Sequence, residues 1–99
     1  MIFPINLKLG SRVYHMICER TEKGKEFEKF RVCARNSPYK YIILQSNRPL
    51  IRTKLNLKTK RYSWKVIEGN ITNIVALDNT IEIIESYLEL NPDPPSYVR

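Results

Sequence analysis

Gly10-Ser11 separates two runs of alternating side chains, and no other feature of the 99-residue chain constrains its fold so strongly. A two-residue loop that begins with glycine suits a type II′ turn, whose twist matches that of the strands it joins. The turn fixes a register: Leu9 opposite Arg12, Leu7 opposite Tyr14, Ile5 opposite Met16 and Phe3 opposite Cys18. Thr21-Glu22-Lys23-Gly24-Lys25 reads as a second hairpin turn, type I with a glycine bulge in which Gly24 takes left-handed backbone. That turn sets Met16 against Phe30 and Tyr14 against Val32. Both turns select one apolar face, made of Ile5, Leu7, Tyr14, Met16, Phe30 and Val32. A one-residue slip at either would turn half of this set towards water.

Asn36-Ser37-Pro38 ends the third strand, and Tyr39 to Ser46 is apolar on both faces in its middle, as an interior strand is. Ser46-Asn47-Arg48-Pro49 breaks that run. Leu50 to Leu57 and Arg61 to Ile67 then form a last hairpin, with Leu57 opposite Tyr62 and Leu55 opposite Trp64. Its other face collects Arg52, Lys54, Arg61 and Lys65, with Lys58 and Lys60 at the tip. Gly69-Asn70 stops the sheet. Asn79 followed by Glu82 has the spacing of a helix cap and its reciprocal partner. Ile81, Ile84 and Leu88 line one stripe of that helix, flanked by Ile83, Tyr87 and Leu90, while Glu82, Glu85, Ser86 and Glu89 face water. Asn91-Pro92 ends it, and residues 71 to 77 fit either a short helical turn or an extended lead-in.

The expected class is α+β: an antiparallel meander of five or six strands with one C-terminal amphipathic helix on its apolar face. A small curled barrel capped by the helix is the alternative. Residues 1–91 form one domain, and 92–99 a flexible, proline-rich tail. The longest apolar run, Ile42-Ile43-Leu44, is far short of the roughly 20 residues that cross a bilayer. Met1-Ile2-Phe3-Pro4 leads directly into alternating sequence, so a cytoplasmic location without membrane contact is expected.

Charge supplies the functional expectation. From Lys29 to Lys65 the chain carries eleven Lys or Arg residues and no acid; from Val66 to Val98 it carries six acids and no Lys or Arg. Sorted charge makes a field with direction, and the net charge of +7 points to a polyanionic partner. The expected function is a non-enzymatic basic module that binds nucleic acid through phosphates, using Lys29, Arg31, Arg48, Arg52, Lys54, Lys58, Lys60, Arg61 and Lys65. Tyr14, Phe30, Tyr62 and Trp64 all belong to the expected core face, and the direction of Tyr39 and Tyr41 does not follow from the sequence. Phosphate contact without base stacking, to a duplex or without specificity, is therefore favoured. The rival class is a protein-interaction or homodimerisation module, in which the wide apolar arc of the helix, including Ile83, Tyr87 and Leu90, meets a partner.

Chemistry has little to build on. The only histidine, His15, would lie opposite Arg31 and one diagonal from Cys33, among the cations Lys29, Arg31 and Arg35. Those charges favour a thiolate, yet the diagonal spans about 7–8 Å and nothing orients the imidazole. Cys18 and Cys33 fall on different faces, so they neither pair nor share a metal with His15. The three glycines all sit at turns, which leaves no phosphate loop. No catalytic residue, metal, cofactor or small-molecule substrate is expected.

Overall fold

The computed structural model describes residues 1–49 and 62–92. Five strands, β1 (Ile2–Leu9), β2 (Arg12–Lys23), β3 (Glu28–Ala34), β4 (Ser37–Ser46) and β5 (Trp64–Glu68), are followed by one helix, α1 (Ile74–Leu90). Each strand pairs antiparallel with the next, giving the sheet order β1-β2-β3-β4-β5. Among the described residues the sheet runs from β1 to β5 without closing on itself, so the architecture is the α+β meander and not the curled barrel. The expected strand from Leu50, its pairing with Tyr62 and Trp64, and the tail beyond Pro92 lie outside the described residues.

The first hairpin has the register that its turn dictates, from Leu9 opposite Arg12 to Phe3 opposite Cys18. Gly10 takes φ +61 and Ser11 stays at negative φ, the combination a type II′ turn needs. The second hairpin corrects the expectation. Met16 faces Ala34 rather than Phe30, and Val32 faces Cys18 rather than Tyr14. The strands run on to Lys23 and Glu28, the loop closes through Gly24 N–H donating to the Phe27 carbonyl at 2.8 Å, and a bulge falls between Arg20 and Glu22. Gly24 has no positive φ. Because the pairing moved by an even number of residues, the same side chains still share a face.

That face is the core. Phe3, Ile5, Leu7, Cys18, Phe30, Val32 and Leu44 are buried on the sheet side. Two members of the expected face are not: Met16 is half-buried and Tyr14 is 43% exposed. The helix adds Ala76, Ile84 and Leu88, with Thr80 in the same i, i+4 row giving its hydroxyl proton to the Ala76 carbonyl at 2.7 Å. Tyr87 stacks on Phe3 at 3.8 Å between ring centres, and Phe30 meets Trp64 at 5.4 Å. Trp64 Nε1 donates to Glu85 at 2.6 Å, so one of the expected water-facing glutamates ties β5 to the helix. Leu90, expected beside the apolar stripe, is 81% exposed.

The helix starts earlier than the Asn79-Glu82 pattern indicates. Its N-cap is Asn73, whose Oδ1 accepts from Ala76 N–H at 3.1 Å. Gly69, at φ +85, turns the chain out of β5 where a Cβ would lie 2.6 Å from the Tyr41 carbonyl oxygen. At the other end Asn91 caps as expected, its backbone and side-chain N–H groups both donating to Tyr87 O at 2.9 and 3.0 Å.

Candidate nucleic-acid interface

The helix covers one face of the sheet and leaves the other open. Alternation assigns that open face: Pro4 and Asn6 on β1, His15, Ile17 and Glu19 on β2, Lys29, Arg31 and Cys33 on β3, Tyr41, Ile43 and Gln45 on β4, and Lys65 on β5. The registers gather these residues into rows. Lys29 lies opposite Gln45, which lies opposite Lys65, so two cations flank an amide. One row along, Glu19, Arg31 and Ile43 stand abreast; the next holds Ile17, Cys33 and Tyr41.

Of the nine expected phosphate-binding cations, Lys29, Arg31 and Lys65 lie on this open face. Lys65 is exposed, and Lys29, half-buried, has Glu22 at 3.5 Å. Arg31 is held on three sides: its Cζ is 4.6 Å from the centre of the Tyr41 ring, Nη1 is 3.8 Å from Cys33 Sγ, and Nη2 donates to the Pro38 carbonyl. Arg48 is elsewhere. It is 6% exposed and gives Nε and Nη2 to the fully buried Glu28 carboxylate at 2.5 and 3.1 Å, with Arg20 Nη1 at 3.5 Å on the same group. A charge this deep needs a fixed counter-charge, and one so engaged is not offered to a ligand. Arg52, Lys54, Lys58, Lys60 and Arg61 lie outside the described residues.

Two aromatic residues that the sequence left undirected are on the surface. Tyr39 is 75% exposed and Tyr41 is 37% exposed. The Tyr41 hydroxyl donates to Glu68 at 2.6 Å. This hydrogen bond, and then the carboxylate's charge, holds the phenol above its ordinary pKa, while the Arg31 guanidinium pulls the other way. Nothing in the sequence of β4 could orient these rings, because its apolar middle, Ile42-Ile43-Leu44, has no period of two.

Ile17 faces Cys33, so Cys33 still lies one diagonal from His15, but the imidazole bonds on the opposite side. Arg31 faces Glu19, not His15. His15 Nδ1 is 2.8 Å from Asn6 Oδ1, a bond made towards β1, whereas Cys33 lies on β3 across the other edge of β2. Cys18 and Cys33 are both free and buried. Burial above all, with smaller effects of Cys33 and Glu19, pushes the Cys18 thiol up to about 12, so it stays protonated. Among the described residues no His, Cys, Asp and Glu group suits a metal ion, and no helix is long and apolar enough to cross a membrane.

At the end of the covered face near the start of α1, an open cleft of about 630 Å3 is walled mainly by apolar groups, among them Leu9, Tyr14, Met16, Ala34 and Ile71. Ile74 and Val75 stand exposed in the first turn of the helix. No protein-family model, no curated protein and no solved structure matches this chain.

Proposed function

We propose that this chain is a small non-enzymatic module that binds nucleic acid through phosphate contacts on the open face of its sheet. One observation carries the reading: an acid-free stretch with eleven cations runs from Lys29 to Lys65, and three of them, Lys29, Arg31 and Lys65, share the face opposite the helix, while Arg35 and Lys40 are exposed elsewhere. The exposed acids Glu82 and Glu89 belong to the helix on the other side. Arg52, Lys54, Lys58, Lys60 and Arg61 belong to the same acid-free stretch of sequence, and Lys29, Arg31 and Lys65 make the open face a positive pole. A polyanion is drawn to that pole and repelled by the other, which orients its approach.

The test is a mobility shift across a salt series with duplex DNA, single-stranded DNA and RNA. Contact with about six phosphates gives a fall of log K with log salt of slope about −5. Lys29→Glu with Lys65→Glu abolishes the shift at moderate salt and leaves the fold intact. Wild-type protein that shifts no probe at low salt ends the reading.

A second reading, a protein-interaction or dimerisation module, is favoured by the apolar cleft beside Tyr14 and by exposed Ile74 and Val75. A dimer by light scattering, with no salt-sensitive retention on heparin, selects it over the first.

A further inference from the structure

The exposed tyrosines of β4 have no part in a purely phosphate-directed surface. We propose that Tyr39, Tyr41 and the Arg31 guanidinium form a stacking platform for the bases of single-stranded nucleic acid, with Lys29 and Lys65 taking its phosphates. The proposal rests on the polyanion reading above and sharpens it from any nucleic acid to an unpaired strand.

Large rings usually pay their way by burial, yet Tyr39 is 75% exposed and Tyr41 is 37% exposed. They are two residues apart at the start of β4, where its register against β3 shifts between Ser37 and Tyr41, and both rings reach the surface. Arg31 is locked in place by the Tyr41 ring and by the carbonyl of Pro38, the residue before Tyr39. A fixed guanidinium plane accepts a stacked base as an aromatic ring does. The surface beside this group is divided by charge. Glu68 holds the Tyr41 hydroxyl and Glu19 lies opposite Arg31, so carboxylates border the platform itself. The Lys29–Gln45–Lys65 row lies one row away from Arg31, with its lysines roughly 10 Å apart across two strand spacings. A phosphate backbone is pushed off the carboxylates and drawn to the lysines, which leaves the bases over the tyrosines. A duplex keeps its base faces stacked inside and has nothing to place on such rings.

The test uses the full chain and fluorescein-labelled oligothymidine, alone and annealed to oligoadenosine, with anisotropy read at fixed low salt. Wild-type protein is expected to bind the single strand more tightly than the duplex. Tyr39→Ala should weaken single-strand binding roughly tenfold, leave duplex binding unchanged, and keep the circular dichroism of the native fold. Tyr39→Phe should restore the single-strand affinity, since it keeps the ring. Equal wild-type affinity for the two forms, or Tyr39→Ala binding the single strand like wild type, overturns the platform while leaving the polyanion reading standing. Wild-type protein that binds neither form, and is not held by heparin, overturns both.

Discussion

Along β3, successive side chains enter two different environments. Glu28, Phe30 and Val32 face the helix, and Lys29, Arg31 and Cys33 face the open side. The contrast between the two arginine–partner sets is the most instructive. On the covered side Arg48 and Arg20 converge on one fully buried carboxylate, Glu28, because a charge removed from water is tolerated only with a partner in reach. On the open side Arg31 is placed by an aromatic face, a carbonyl and a thiol, and water supplies the remaining solvation. The first arrangement holds the fold together; the second leaves a cation available to a ligand.

Replacing the buried carboxylate tests that contrast with the largest expected effect. Glu28→Gln keeps the shape and removes the charge that Arg48 and Arg20 share, and should cost about 3–5 kcal/mol in urea unfolding. Glu28→Leu combined with Arg48→Met should recover much of the loss, since an apolar pair of similar size needs no counter-charge. An unchanged midpoint for Glu28→Gln would place the two faces on equal terms and break the comparison. Next in size is the tie between β5 and the helix. Trp64→Phe keeps a ring against Phe30 and deletes the indole donor to Glu85, with an expected loss of about 2 kcal/mol by the same measurement.

Most of the covered face was legible because parity is robust. The second hairpin slid four residues, from Phe30 to Ala34 as the partner of Met16, and the apolar set still shared one side. What the sequence could not supply was the length of that hairpin. The pairs Glu22–Lys29 and Lys23–Glu28 extend the strands past the point where Gly24 looked like the bulge residue. Glu28, Arg20 and Arg48 were illegible for the same reason: a charged residue on a core face carries no sign that its partner lies twenty residues away. The helix start was misleading in a different way. Asn79 with Glu82 carries the fuller capping signature, while Asn73 has Ala76 where a capping box has an acid or amide. Asn73→Ala should therefore cost about 1 kcal/mol, and Asn79→Ala much less, by thermal unfolding of each variant. On the open face the positions of Lys29, Arg31 and Lys65 were legible but the aromatics were not, since an interior strand that is apolar on both sides gives no clue to where Tyr39 and Tyr41 point.

The smallest effect expected belongs to the open face and is one of pH. Tyr41 donates its hydroxyl proton to Glu68, and its phenol is held above the ordinary value of about 10. The bond exists only while the phenol is protonated. Its contribution to the fold is thus complete below the unfolded-state value and is lost as pH rises through the higher folded-state value. An ultraviolet tyrosinate titration should show one phenol ionising late, and Glu68→Gln should return it towards the others. At neutral pH the same substitution should hardly move the unfolding midpoint, because the pair sits in water. If Glu68→Gln destabilised the protein as strongly as Glu28→Gln, the open side would be as structurally committed as the covered one. Its rings would then be part of the scaffold and no surface for a ligand.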